Sequence, residues 1–298
     1  MNFPTSRRDF LKQATLGATA LSLGSLPSFA APLFKPGDRM KLGLVTYLWG
    51  KDWDLPTLIS NCEQTGLGAV ELRIEHAHGV GLELTKQQRA EVKKRFEDSP
   101  VMALGMGTNE QYDYPEQERL KKAIADTKAY LHLSQDIGGT GIKVKPNQFH
   151  EGVPHEKTLE QIGRSLNEVG KYGADLGQQI RLEVHGNGTQ ELPNIKKIME
   201  VADHPNVTVC WNCNQEDLIG QGLVHNFNLV KDRFGDTVHV REMNMGDYPY
   251  QELMNLLVKM NYGGWILLEC RTNPEDRLQA IREQDKVWKQ MIRKAQKV

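Results

Sequence analysis

Ile180-Arg181-Leu182-Glu183-Val184-His185 alternates aliphatic and ionisable side chains over six residues. Successive side chains of a strand point to opposite faces. Leu182 and Val184 therefore share a face suited to packing, and Arg181, Glu183 and His185 share the other. Burying such groups is costly unless they are paired or bind a metal. The same alternation recurs along the chain. Val70, Leu72 and Ile74 oppose Glu71 and Arg73. Ile142 and Val144 oppose Lys143 and Lys145, with Asn147 following in the same parity. Val238 and Val240 oppose His239 and Arg241, and Ile266 and Leu268 oppose Glu269. The run ending Trp211-Asn212-Cys213-Asn214 sets both asparagines against Trp211.

Outward from this run, short β-rich segments alternate with longer helical ones. Strands are predicted over 42–48, 69–74, 101–105, 141–145, 180–185, 207–212, 237–242 and 265–270. Helical periodicity marks 55–65, 86–97, 116–133, 156–176, 193–202, 250–260 and 274–294. Strands alternating with helices predict a parallel sheet, and eight such units predict closure into a (β/α)8 TIM barrel. No glycine-rich phosphate loop follows the first strand, which weighs against an open doubly wound sheet. Loops 75–84 and 146–155 follow strands two and four, on the face where barrel active sites lie.

The first 30 residues read differently. Ser6-Arg7-Arg8-Asp9-Phe10-Leu11-Lys12 has the form of a twin-arginine export signal. A weak apolar stretch follows, and Ser28-Phe29-Ala30 offers a peptidase site. The expected domains are thus a leader over 1–30 and one barrel over 31–298. The leader predicts passage through the twin-arginine translocase to a periplasmic or extracellular location, with no stable membrane anchor. The remainder carries a net charge of −3, which offers no electrostatic footprint for nucleic acid. Cys62, Cys210, Cys213 and Cys270 fall mostly in or beside strands and are read as free core thiols.

Strand parity also selects the chemistry. Glu183, Asn212, His239 and Glu269 come from four consecutive strands, toward the ends that converge on one mouth. Oxygen and imidazole donors in that mixture suit one divalent metal ion, Mn²⁺ first, with Mg²⁺, Co²⁺, Fe²⁺ or Zn²⁺ as alternatives. A salt-bridge network filling the barrel is the competing reading. Tyr47, Trp49 and Trp53 near the first strand either line the mouth or pack their loop, and His76 and His78 lie in the loop after strand two.

Ala69-Val70-Glu71-Leu72, Leu182-Glu183-Val184-His185, His239-Val240-Arg241-Glu242 and Leu267-Leu268-Glu269 together resemble the xylose isomerase-like barrels, over residues 41–295. In the ketose epimerases of that superfamily, Glu, Asp, His and Glu from strands five to eight hold a divalent metal. Glu183, His239 and Glu269 match, and Asn212 departs from the Asp, offering a neutral and weaker ligand. The resemblance implies proton transfer beside a carbonyl of a sugar, as an isomerase or epimerase, and the export signal, with no phosphate loop in the sequence, narrows that sugar to an unphosphorylated one. Glu183 and Glu269 would exchange the proton, with Lys145 and His185 as further acid–base groups. Tyr47, Trp49, Glu71, His78, Asn147 and Arg241 would contact substrate. Two alternatives are a lyase or glycoside-cleaving enzyme on a keto-sugar glycoside, and a non-catalytic sugar-binding barrel. Relatives are often dimers or tetramers, so a homo-oligomer is compatible with the resemblance.

Overall fold

The computed structural model describes residues 35–298, so the stretch read from the sequence as an export signal, with its expected cleavage site, lies outside the described residues. Eight parallel strands close a barrel: β1 (Lys41–Val45), β2 (Ala69–Arg73), β3 (Met102–Gln111), β4 (Gly141–Lys145), β5 (Gln179–Glu183), β6 (Val207–Asn212), β7 (Phe234–Val240) and β8 (Trp265–Leu268). Closure pairs β1 with β8, with Lys41 opposite Trp265 and Leu44 opposite Leu268. Among the described residues, eight helices follow the strands: α1 (Leu55–Thr65), α2 (Lys86–Glu97), α3 (Gln117–Asp136), α4 (His155–Asp175), α5 (Leu192–Val201), α6 (Gly222–Val230), α7 (Tyr250–Lys259) and α8 (Arg277–Ala295). None of these helices is long and apolar enough to cross a membrane.

Helix boundaries follow local chemistry. Asp54 caps α1 by accepting from the Thr57 amide at 2.9 Å, and Gly66, at φ 77°, stops it. Thr85 and Gln88 form a reciprocal capping box on α2. The outward strand positions read from parity are buried against these helices. Leu72, Ile142, Leu182, Val238 and Leu268 are fully buried and meet an apolar layer that includes Ile162, Leu166 and Leu257. Each such side chain stabilises the fold by roughly 1.5–3 kcal/mol. All four cysteines are free and buried, as the sequence reading expects.

The barrel interior divides into two zones. Val45, Ala69, Leu104, Trp265 and Leu267 plug its lower part. Beside them, the buried Arg181 guanidinium donates to Leu104 O at 3.0 Å, to Gln179 Oε1 at 3.0 Å and to Thr140 Oγ1 at 2.6 Å. Above this floor, toward the C-terminal strand ends, the lining turns polar.

Three features depart from the sequence reading. Strand β3 runs six residues past the predicted end at 105, which brings Asn109 to the mouth. Its register against β2 jumps from Val70–Ala103 to Glu71–Gly105, so Leu104 is the extra residue of a β-bulge. Gly105 takes φ 122°, and a Cβ there would lie 1.7 Å from Gly141 O. Helix α6 was not predicted, because Gly220, Gly222, Asn226 and Asn228 hide a short periodic set of Leu223, Phe227 and Val230. Finally, Asn147–Gln148 and Gly186–Asn187 pair as a two-residue parallel ladder that ties the loops after β4 and β5 together.

Candidate active site

The polar face of β5 places Glu183 at the centre of the mouth. Its carboxylate is buried, as are Glu71, Lys143, Asn212, His239 and Glu269 around it. Lys143, from β4, lies with Nζ 2.8 Å from Glu183 Oε2 and donates to Thr108 O at 3.2 Å. On the other carboxylate oxygen, Asn212 Nδ2 donates to Glu183 Oε1 at 2.8 Å and reaches Glu269 Oε2 at 3.3 Å. His239 Nδ1 is 3.2 Å from Glu183 Oε1 and 3.9 Å from Glu269 Oε2. One atom each of Glu183, His239 and Glu269 therefore clusters within 4.8 Å, and Asn212 bridges the two carboxylates.

This spacing suits a cation. Ligands bound at about 2.0–2.2 Å sit roughly 3–3.5 Å from one another around a small metal ion. The two ends of an amide are nearly isosteric, so turning Asn212 over directs an oxygen at the same point. The Asn212 oxygen is buried without a hydrogen-bond donor in its present orientation, which leaves it free for that role. The donor set of two carboxylates, an imidazole and an amide fits a hard or borderline divalent ion.

Charge balance supports the same reading. Burial opposes the ionised form of Glu183, but the Lys143 ammonium and His239 outweigh it and hold the carboxyl well below its usual range. Glu269 is pushed up by burial and by repulsion from Glu183. Burial also opposes a proton on His239, yet acidic neighbours, Glu71 and Glu183 among them, hold the ring well above its ordinary value. Three inward carboxylates thus draw positive charge to this point.

Glu71 stands behind His239, with Oε1 3.4 Å from Nε2. It is completely buried, and neither of its oxygens has a hydrogen-bond donor, so its partner is the charge on the His239 ring. Gly107 makes room for it, since a Cβ there would lie 2.9 Å from Glu71 Oε1. A carboxylate on the far ring nitrogen fixes the tautomer that leaves Nδ1 free to ligate.

The remaining residues predicted for the site are placed as follows. Lys145 and Arg241 rise above the cluster, Lys145 donating to Asn109 Oδ1 at 3.2 Å and Arg241 to Asn214 Oδ1 at 2.9 Å. His185 is half-buried just beyond Glu183, and burial lowers its pKa. Tyr47 is half-buried beneath the Arg73 guanidinium, 5.6 Å from the ring centre. Trp49 is buried, and its indole donates to Thr272 O at 3.1 Å, fastening the β1 loop to the β8 loop. His78 uses both ring nitrogens on backbone, at Arg73 O and Val80 N, and burial lowers its pKa to about 4. Asn147, at φ 65°, donates to the buried Asp113 at 2.9 Å, which also accepts from His150 at 2.8 Å.

Sequence reasoning passed over Lys143, Asn109 and Asp113 as site residues. Parity could have found Lys143, which shares the inward face with Lys145. Asn109 and Asp113 were hidden by the early predicted end of the third strand.

No curated protein matches the sequence. Solved structures do match the fold. The 3-keto-D-glucoside 4-epimerase from E. coli is 17% identical, covers 84% of this chain and 99% of its own, and superposes with a TM-score of 0.72. An L-ribulose 3-epimerase is 12% identical, with coverage of 87% and 96% and a TM-score of 0.74. The IOLI protein, solved with a bound zinc atom, is 13% identical, with coverage of 86% and 99% and a TM-score of 0.72. The family model described as the xylose isomerase-like TIM barrel matches residues 59–294, so the chain belongs to that family.

Proposed function

We propose that this chain is a divalent-metal-dependent sugar epimerase or isomerase acting by proton transfer beside a carbonyl. The observation that carries the proposal is the convergence of Glu183, Asn212, His239 and Glu269 on one point, with the two carboxylates pushed to opposite sides of their ordinary range. Pairs of titratable groups whose environments differ in this way assign acid and base roles.

Glu183, Asn212, His239 and Glu269 would hold the ion, which supplies Lewis acidity: it draws charge from a substrate carbonyl and acidifies the neighbouring C–H. The residues then divide the remaining work. Glu269 is the more basic carboxylate and takes the proton. Glu183, the stronger acid, is the better donor once protonated, and Lys143 fixes its orientation from Oε2. Glu71 keeps His239 in one tautomer. Lys145, His185 and Arg241 stand above the cluster, where substrate hydroxyls would lie.

The test is hydrogen exchange. Metal-loaded protein incubated in D₂O with a panel of free ketoses and keto-sugars should place deuterium on the carbon beside the carbonyl of at least one member. No exchange with any member, in protein whose metal content has been verified, refutes the reading. A keto-glycoside, the substrate class named for the E. coli structural relative, gives a second reading. There the same proton removal would be followed by loss of the aglycone, so released aglycone distinguishes cleavage from epimerisation. The leader read at 1–30 supports export by the twin-arginine translocase and a substrate outside the inner membrane.

A further inference from the structure

One layer above the catalytic cluster, the residue two positions on from each contributing side chain is basic, with asparagine after β6 as the exception. Glu71 is followed by Arg73, Lys143 by Lys145, Glu183 by His185, His239 by Arg241 and Glu269 by Arg271. Asparagines 109 and 214 complete the collar, and it contains no acid. Arg73 and Lys145 converge on a single atom, Asn109 Oδ1, each at 3.2 Å. Two cations are therefore held side by side by a neutral acceptor.

Among the described residues, neither cation has a carboxylate within 4.0 Å, and the same is true of Arg241. Arg233 is partly buried without a carboxylate but spends its donors on four backbone carbonyls, whereas two other partly buried arginines are neutralised. Arg89 meets Asp136 at 3.1 Å, and Arg277 meets Asp52 at 3.0 Å. The Nε atoms of Arg73 and Arg241 are buried without a hydrogen-bond partner. Burial, with Lys143 and Arg73 nearby, already pulls the Lys145 pKa down. Half-buried like charges with unused donors are unfavourable unless a ligand supplies the counter-charge.

We propose that this collar, with Arg73 and Lys145 as its seat, binds an anionic substituent of the sugar, a carboxylate or a phosphate. The inference deepens the proton-transfer reading and rests on it. It makes the substrate a sugar acid or, against the expectation of an unphosphorylated sugar, a sugar phosphate, with the anion anchored above the carbons that react. Asn109 pre-positions the two cations, so little order need be imposed when the ligand arrives.

Calorimetric titration of metal-loaded protein tests this with D-glucuronate, D-galacturonate and D-gluconate, the neutral parents glucose and galactose, and the two hexose 6-phosphates. At least one anionic sugar should bind ten-fold or more tightly than its parent. Arg73→Gln and Lys145→Met should each erase that preference, weakening the anionic sugar at least five-fold more than its neutral parent. A stronger preference among the 6-phosphates than among the acids assigns phosphate, and the reverse assigns carboxylate. The proposal is overturned if no anionic sugar binds more tightly than its parent. It is also overturned if both variants keep the preference, or weaken acid and parent alike. Lys145→Met stands in if Arg73→Gln does not fold. Exchange in D₂O with neutral sugars but no anion preference would sink the collar alone, whereas anion preference without exchange would sink the proton-transfer reading alone.

Discussion

Asn212 is where the proposed metal chemistry is decided. Its amide lies across Glu183 and Glu269, and a neutral oxygen is a weaker donor than a carboxylate. Asn212→Asp should tighten binding of Mn²⁺ at least ten-fold, measured by competition with a fluorescent chelator. Unchanged affinity would remove Asn212 from the ligand set. Glu269→Gln should abolish deuterium exchange while leaving the unfolding midpoint within a few degrees, because an isosteric amide can still accept from Asn212. Exchange at the normal rate would remove Glu269 from the mechanism. Loss of a carboxylate behind a ligating histidine typically costs 10–100-fold in metal affinity. Glu71→Gln is expected to fall in that range, and ¹⁵N shifts of His239 should show a mixture of tautomers. A single unchanged tautomer would make Glu71 structural only.

At the scale of elements, the β3 bulge and the turn after β6 carry the strain and the titration. The bulge re-registers β3 at the level of Glu71, and only glycine fits Gly105. Gly105→Ala should cost more than about 4 kcal/mol, the range reserved for severe local conflicts, in urea unfolding. A loss below about 1 kcal/mol would show that the barrel relaxes around the added carbon.

The turn after β6 depends on Asp217, which accepts from the Asn214 amide at 3.0 Å and from the Tyr248 hydroxyl at 2.7 Å. Burial raises its pKa to about 7. The folded state then binds this proton more tightly than the unfolded chain, so stability falls as pH rises from about 4 through 7. Asp217→Asn should flatten that slope and gain stability relative to wild type at pH 8 more than at pH 5. Equal pH profiles would contradict the assignment.

Legibility also differs between elements. Barrel strands were readable because the fold demands aliphatic side chains outward and the site demands charge inward, which makes Glu183 and His239 visible in the raw alternation. Register shifts, positive-φ glycines and the ladder between Asn147 and Gly186 depend on tertiary contacts that no local pattern encodes. Trp49 and His78 illustrate the limit. Their composition suits a sugar pocket, and only the fold reveals that their polar atoms are committed to Thr272, Arg73 and Val80.

For the whole molecule, the cluster of buried carboxylates links metal binding to folding. An ion that binds only the native state stabilises it by about 2.7 kcal/mol at one hundred times its Kd. Mn²⁺ should raise the unfolding midpoint and a chelator should reverse the gain. A midpoint insensitive to both would mean that Lys143 and His239 alone balance the cluster.

Closure between β1 and β8 has a consequence for timing. The free edge of β1 is satisfied only when residues 265–268 have been made, more than two hundred positions later. Until then a nascent chain displays an open parallel edge, the kind of surface that recruits other strands. Synthesis of β8 is therefore a checkpoint: chains stalled before it present an unsealed sheet, and a route that accepts only folded cargo would meet a finished barrel only after the last strand emerges.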